Sequence, residues 1–170
     1  MSETEYVALK ILAVDEPGVL FKVVNHFRRL NINVEGVTLT RQPGAVGISS
    51  IIVVFKAHSR ESAMIKRMLT KSVGVLDVRV VSLSDAITRE LVLVRIKAPQ
   101  QPALKRLVED YGARVIGVEG EYVVLELTGE AGTINSFINS LSDFGLVSVS
   151  RTGLAILPVE EAKKFAENIL

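Results

Sequence analysis

Apolar residues in the first half of the chain switch between the two-residue period of strands and the wider spacing of helices. Residues 6–14 alternate and are rich in apolar and β-branched side chains, so they predict a strand. The next apolar residues recur at helical spacing and predict a helix, which Asn31 can close because asparagine tolerates the left-handed conformation. This helical set is Val19, Leu20, Val23, Val24, Phe27 and Leu30.

Two strands, a helix and a further strand follow. The strands are predicted at 34–41 and 48–57, joined by a turn-rich connection at 42–47, and the helix at 60–71 is capped by Ser59. Residues 51–55 are uniformly apolar, so the strand that contains them is expected to be covered on both faces. A fourth strand is predicted at 75–83, with a weak linker at 82–85.

The same order of elements recurs in the second half. A strand at 91–96 precedes a helix that residues 99–102 open and Gly112 ends. Strands at 113–118 and 121–128 are joined at Glu119-Gly120, a tight-turn signal. Thr133 is expected to cap a helix that Gly145 stops, and the last strand is predicted at 146–152. Residues 159–170 predict a short terminal helix that docks on the protein or stabilises an oligomer.

Two βαββαβ units predict an α+β protein made of two ferredoxin-like domains, each an antiparallel sheet with helices on one face. The expected boundaries are 1–83 for the first domain, 84–158 for the second and 159–170 for the helical tail. Units of roughly 80 residues bury a small fraction of their surface, so association with another subunit would stabilise them.

Composition narrows the functional classes. The chain has 170 residues, 48% of them hydrophobic and 23% charged, and a mean hydropathy of +0.35, which favours a substantial core or buried subunit contacts. A formal net charge of +1 gives no reason to expect nucleic acid or an anionic membrane as a partner, and the absence of cysteine excludes disulfides and thiolate catalysis. The polar, acidic start of the chain lacks a secretory pattern and no apolar run is long enough to cross a bilayer, so we expect a cytoplasmic protein.

The candidate site is the stretch between the first strand and the first helix, Val14-Asp15-Glu16-Pro17-Gly18-Val19-Leu20, with Asn33 one helix further on. The carboxylate of Asp15 could hold an ammonium group, while free backbone N–H groups near Gly18 to Leu20 could hold a carboxylate. The alternative is that Asp15 only caps the helix and that Pro17-Gly18 is only a turn.

Other functions of this fold find less support in the residues. The two histidines, His26 and His58, have no serine or carboxylate at a recognisable motif spacing, and no metal-binding motif is present, so an independent enzyme is not predicted. RNA-recognition domains share the βαββαβ order, but they stack bases on aromatic residues of the central strands. Here the third strand has one aromatic residue, Phe55, at its end.

The segment Asp15 to Leu20, followed by Asn31-Ile32-Asn33-Val34, resembles the ACT domain, a regulatory amino-acid-binding module. An ordered set of further segments, spread over residues 6–157, resembles the small regulatory subunit of acetolactate synthase. These segments are 33–39, 75–78, Arg89-Glu90-Leu91-Val92-Leu93-Val94-Arg95-Ile96, 114–118, 125–129 and Arg151-Thr152-Gly153.

The resemblance implies a subunit without catalytic activity of its own. It implies that the chain binds a large catalytic subunit carrying thiamine diphosphate, Mg²⁺ and FAD, raises the activity of that subunit and makes it sensitive to valine. It also implies that ACT domains pair as a homodimer or larger homo-oligomer, with the effector at their interface. The effector-binding residues would be Asp15, Gly18, Val19 and Leu20 of one chain, with Asn33 supplied by the facing chain. No cofactor is expected on this chain.

Two departures from the resembled family keep alternatives open. Family members commonly have asparagine where this chain has Asp15 and a residue other than proline at Pro17. The wider ACT group uses aspartate and proline at these positions, so amino-acid binding is retained while the identity of the effector is open. A free-standing ACT-type sensor of another enzyme and a dimerisation module without ligand are the alternative functions.

Overall fold

The computed structural model describes residues 4–42, 44–97 and 102–159, which divide into two compact units. One unit contains the described residues up to Ile87 together with those from Ile156, and the other spans Thr88–Ala155. None of the described helices is long and apolar enough to cross a membrane. Residues 160–170 of the predicted tail helix at 159–170 and the helix-opening residues 99–101 lie outside the described residues.

The first unit contains the predicted order of strands and helices. Its elements are β1 (Glu5–Val14), α1 (Val19–Arg29), β2 (Val34–Arg41), β3 (Ile48–Ala57), α2 (Ser59–Thr70) and β4 (Val75–Ser82), followed by a 3₁₀ turn at Leu83–Asp85. The strands form an antiparallel sheet in the order β2-β3-β1-β4, which confirms the ferredoxin-like prediction. Asn31 has φ 52°, the left-handed conformation predicted for the residue that closes the first helix.

The core of the first unit lies between its sheet and its two helices. Alternate residues of β1 and β3, such as Ile11 and Ile51, are fully buried against α1 and α2. Phe27 of α1 packs edge-on against Phe55 of β3, with 5.0 Å between the ring centroids. Phe55 therefore belongs to the core, and no base could stack on it. Val54, which points away from the helices, is also buried, as the apolar run of β3 predicted.

The second unit repeats this arrangement. Its elements are β5 (Ala86–Lys97), α3 (Pro102–Tyr111), β6 (Arg114–Glu119), β7 (Tyr122–Gly129), α4 (Ala131–Ser140), a 3₁₀ turn at Ser142–Phe144 and β8 (Leu146–Arg151). A short β9 (Ala155–Pro158) follows, and its residues from Ile156 belong to the first unit. The sheet order is β6-β7-β5-β8. Its core contains apolar residues of β5, β7, α3 and α4.

Several element boundaries differ from the prediction. Helix α2 is capped by His58 rather than Ser59, and α4 by Glu130 rather than Thr133, because each helix begins one or more residues earlier than the apolar spacing indicated. In α2 the Glu61 side chain accepts a hydrogen bond from the His58 backbone N–H at 2.8 Å, which satisfies a donor at the helix start. Strand β5 begins at Ala86 rather than 91, and the linker expected at 82–85 is a 3₁₀ turn at Leu83–Asp85.

Two segments that carry the family resemblance meet in the second unit. The guanidinium of Arg151, at the end of β8, donates two hydrogen bonds to Glu90 of β5, at 2.7 and 2.6 Å, and a third to the side chain of Asn135 at 2.9 Å. The side chain of Glu90 is only 4% exposed. The hydrogen bonds from Arg151 lower the pKa of the Glu90 carboxyl despite its burial, and the Glu90 carboxylate raises the pKa of Arg151.

We expect Glu90→Gln to lower the free energy of unfolding by about 1–3 kcal/mol at neutral pH, because Arg151 loses a charged, doubly hydrogen-bonded partner. Since folding lowers the pKa of Glu90, the contribution of the carboxylate is complete above its unfolded pKa and is lost as the pH falls through the folded value. Urea unfolding as a function of pH should therefore show the two proteins converging below about pH 4.

Glu109→Gln is the control for this substitution. Glu109 forms an exposed pair with Lys105 on α3, at 3.9 Å, and such pairs contribute about 0.5 kcal/mol or less. A Glu90→Gln protein that is no less stable than the Glu109→Gln protein would contradict a stabilising role for the Glu90–Arg151 pair.

Candidate functional site

The candidate loop leaves the sheet at the end of β1 and turns directly into α1. The backbone N–H of Val14 donates to the carbonyl of Gly74, and that of Asp15 donates to the carbonyl of Gly47, both at 2.8 Å. Asp15 is thus fixed between the start of β4 on one side and the β2–β3 connection on the other. This anchoring leaves the segment from Asp15 to Gly18 exposed at the end of the sheet.

The carboxylate of Asp15 does not cap the helix, so the helix-cap interpretation of this residue is wrong. Gly18 is the N-cap of α1, with φ 86°, and no side-chain hydrogen bond caps the helix start. The Asp15 carboxylate instead accepts a hydrogen bond from the Ser49 hydroxyl at 2.8 Å and one from Arg41 Nε at 3.0 Å. Its side chain remains 31% exposed, while that of Arg41 is 85% exposed.

A cleft of about 450 Å³ opens beside this ion pair. Asp15 lies on one wall, and the end of β2 and the β2–β3 connection supply the remaining lining. The lining residues are Asp15, Arg41, Gln42, Gly44, Ala45, Val46, Gly47 and Ile48. This volume is within the range usual for small-ligand sites. The cleft therefore combines opposite charges with an aliphatic wall.

The other candidate residues are placed in three different environments. Gly18 is exposed, and a Cβ added to it would meet no atom within 4 Å, so space is open in front of the helix start. Val19 is 5% exposed and belongs to the core, while Leu20 is half-buried and packs against that core. The loop therefore offers a ligand the exposed Asp15 and Gly18 and part of Leu20, whereas Val19 is buried.

Asn33 lies far from the other candidate residues within one chain. It immediately precedes β2, whose first residue, Val34, pairs with Phe55, whereas the last residue of the strand, Arg41, pairs with Ser49 beside Asp15. The eight residues of β2 span roughly 25 Å at about 3.3 Å per residue. Asn33 is exposed there, and its amide donates to Glu35 at 3.3 Å. A single chain cannot bring Asn33 and Asp15 to one ligand.

Arg41 and Ser49 were not predicted as site residues. Their contacts with Asp15 join positions 26 and 34 residues apart, and they depend on β1 pairing with β3 and β3 pairing with β2. The predicted hairpin with its turn at 42–47 places the end of β2, with Arg41, beside the start of β3, with Ser49. This turn was the sequence signal that could have indicated that the two residues lie together.

The histidines do not form a catalytic arrangement in the described part of the chain. His26 Nε2 lies 2.5 Å from Ser72 Oγ, and its Nδ1 is buried without a hydrogen-bond partner there. Burial and the nearby Arg29 charge lower the pKa of His26. The contact joins α1 to the turn before β4, so it is structural. Among the described residues, no group of three or more histidine or acidic side chains could hold a metal.

The fold and this loop define a regulatory module of the ACT type, and comparisons with known proteins agree. Residues 9–77 match the family model of the AHAS small subunit-like ACT domain, and residues 89–158 match that of the small subunit of acetolactate synthase. Together the two matches cover most of the chain. The chain belongs to the family of acetolactate synthase small regulatory subunits.

Individual relatives extend over nearly the whole chain. The probable acetolactate synthase small subunit of Methanothermobacter thermautotrophicus is 26% identical over 148 residues, which cover 85% of this chain and 88% of the relative. The acetolactate synthase small subunit of Bacillus subtilis is 26% identical over 163 residues, which cover 94% of both chains. The crystal structure of the Thermotoga maritima acetolactate synthase small subunit has the same fold, with a TM-score of 0.82 and 24% sequence identity. The match covers 91% of this chain and 97% of the Thermotoga chain.

Gly74 supports the base of the candidate loop and gives a test of its packing. It has φ 90°, and an added Cβ would lie 3.0 Å from Val14 Cγ2 and 3.6 Å from Val19 Cγ2. We expect Gly74→Ala to lower the free energy of unfolding by about 2–3 kcal/mol, because it adds both backbone strain and crowding. Urea denaturation measures this loss.

Gly120→Ala is the matched control, since Gly120 also has a positive φ, 58°, but no atom lies within 4 Å of an added Cβ. We expect a loss of about 1 kcal/mol from strain alone. Equal losses for the two variants would show that close packing at Gly74 does not support the loop.

Proposed function

We propose that this chain binds the catalytic subunit of acetolactate synthase, raises its activity and makes it subject to feedback inhibition by valine. The family assignment supports the catalytic partner, on which thiamine diphosphate, Mg²⁺ and FAD are expected. In this proposal residues 1–83 form the ACT domain that binds the effector and dimerises, residues 84–158 form the second domain, and the protein acts in the cytoplasm. The alternative, a free-standing sensor of another enzyme, predicts no co-purification with such a catalytic subunit.

The observation that carries the effector site is the exposed loop between β1 and α1. It presents the carboxylate of Asp15 to an ammonium group beside a cleft of about 450 Å³. It also presents the N-terminus of α1, where Gly18 leaves the first N–H groups without a side-chain cap and the helix dipole favours an anion. A free amino acid carries both complementary charges.

The sheet edge supports a site shared between two chains. β2 is an edge strand, and its side chains Val37 and Leu39 are 39% and 42% exposed although they lie on the helix side of the sheet. Edge strands with exposed apolar residues are ready to pair with another chain. If two copies paired β2 with β2 about a two-fold axis, the strands would be antiparallel. The start of the partner's β2, with its Asn33, would then lie near the end of the first β2, where Arg41 contacts Asp15.

Valine should stabilise the protein, because a ligand that binds only the folded form shifts the unfolding equilibrium. At 100 times the dissociation constant the gain is about 2.7 kcal/mol, which corresponds to several degrees in Tm for a chain of this size. We expect Gly18→Asp to abolish this shift and to abolish valine inhibition in a reconstituted enzyme, while stimulation of the catalytic subunit persists. The new carboxylate would fill the open space before α1 and repel the carboxylate of the ligand.

Gly120→Asp is the matched control for Gly18→Asp. Both glycines have positive φ, 86° and 58°, and neither has an atom within 4 Å of an added Cβ, so strain and added charge are similar. Gly120 lies between β6 and β7 in the second unit. If valine inhibits the Gly18→Asp enzyme at the concentrations that inhibit the wild type, the loop does not belong to the effector site. If no amino acid changes the Tm of the wild-type protein, the sensor function is refuted.

A further inference from the structure

In the described part of the chain, Arg41 is the one side chain lining the cleft that forms a hydrogen bond with the Asp15 side chain. It is the last residue of β2, and the chain then forms the β2–β3 connection that lines the cleft. The carboxylate of Asp15 faces the same cleft. A cation and an anion, 3.0 Å apart, therefore stand side by side at the surface of one small-ligand cleft.

The pair retains capacity to bind a ligand. Arg41 contacts Asp15 through Nε, so this hydrogen bond does not engage its two terminal Nη nitrogens, and the side chain is 85% exposed. A carboxylate has about four lone-pair positions on its two oxygens. Asp15 uses one oxygen for Ser49 and the other for Arg41, which leaves positions for further donors.

The charges in the cleft are complementary to a zwitterion. An amino acid holds its ammonium and carboxylate groups on the same carbon, and the two groups require an anion and a cation at a similar separation. Arginine is suited to the carboxylate, because its planar guanidinium can donate two parallel hydrogen bonds to the two oxygens. The aliphatic residues Ala45 and Ile48, which also line the cleft, are suited to a branched apolar side chain.

We propose that Arg41 joins the first N–H groups of α1 in binding the α-carboxylate of the amino-acid effector, while Asp15 binds its ammonium group. This inference rests on the proposed effector function of the same loop, and it adds the residue that distinguishes a free amino acid from an amine. Arg41 would thereby set specificity for the carboxylate, with Ser49 holding Asp15 in position through its 2.8 Å hydrogen bond.

The test compares the binding of valine and valinamide to the complete chain by isothermal titration calorimetry. Valinamide keeps the ammonium group and the side chain but lacks the negative charge. The wild-type protein should bind valine more tightly than valinamide. Arg41→Gln should weaken valine binding by about 10- to 100-fold, the effect of losing charge-assisted hydrogen bonds. The same variant should bind valinamide at least as tightly as the wild type, because Asp15 no longer shares its charge with Arg41.

Two further variants serve as controls. Arg79→Gln removes an arginine that pairs with Asp77 at 2.9 Å on the other edge strand of the same sheet, so it matches the change in net charge. Its affinity for valine should equal that of the wild type. Arg41→Lys keeps the charge but loses the planar fork, so its affinity for valine should lie between those of the wild type and Arg41→Gln.

Each other outcome overturns the proposal. If Arg41→Gln binds valine as tightly as the wild type, the carboxylate is bound elsewhere, and only the role of Arg41 fails. If Arg41→Gln weakens valine and valinamide equally, or Arg79→Gln weakens valine to the same extent, Arg41 does not recognise the carboxylate. If the wild-type protein binds neither valine nor any other amino acid, the proposed effector function fails and the role of Arg41 fails with it.

Discussion

The register of β1 against β3 is the constraint on which both the first core and the candidate site depend. It places Leu9 and Ile11 opposite apolar residues of β3 on the helix side of the sheet. A slip of one residue would turn these side chains to the other face. The same register ends β1 opposite the start of β3, so that Asp15 leaves the strand beside Gly47 and Ser49. Core burial and the position of the loop are therefore set by one strand pairing.

The Glu90–Arg151 and Asp15–Arg41 pairs have different physical roles. Glu90 is almost completely buried and receives two hydrogen bonds from Arg151, so the loss of either partner would leave a charge without compensation. The Asp15–Arg41 pair is much more exposed, and pairs of this kind contribute only about 0–1 kcal/mol to stability. A ligand can therefore rearrange it at little cost, which suits a binding site.

Much of the fold followed from the sequence because hydrophobic periodicity is a local property. The strands, the helical faces and the left-handed Asn31 could all be predicted from neighbouring residues. The helix caps at His58 and Glu130 were missed, because helix starts depend on backbone geometry that the apolar pattern does not record. The start of β5 at Ala86 was missed because the polar residues Thr88, Arg89 and Glu90 precede the apolar run on which the prediction rested.

The candidate site was only partly predictable. The loop from Asp15 to Gly18 was identified from its own residues. Val19 was predicted to bind the effector, but its side chain is buried and belongs to the core. Arg41 and Ser49 reach Asp15 only through the strand order of the sheet, so the residues around Asp15 could not indicate them. Asn33 lies at the other end of β2, whose eight residues span roughly 25 Å, so it is far from Asp15 within one chain.

The central claim is that one effector site takes Asp15 from one chain and Asn33 from another. Calorimetry with valine on mixed variants tests it most directly. Asp15→Ala and Asn33→Ala should each lose binding alone, because every site in either homodimer lacks one contact. After the two are mixed and their chains exchange at random, about a quarter of the sites should be intact and bind valine. A mixture that stays inactive, or an Asn33→Ala protein that binds valine as the wild type does, would contradict the shared site.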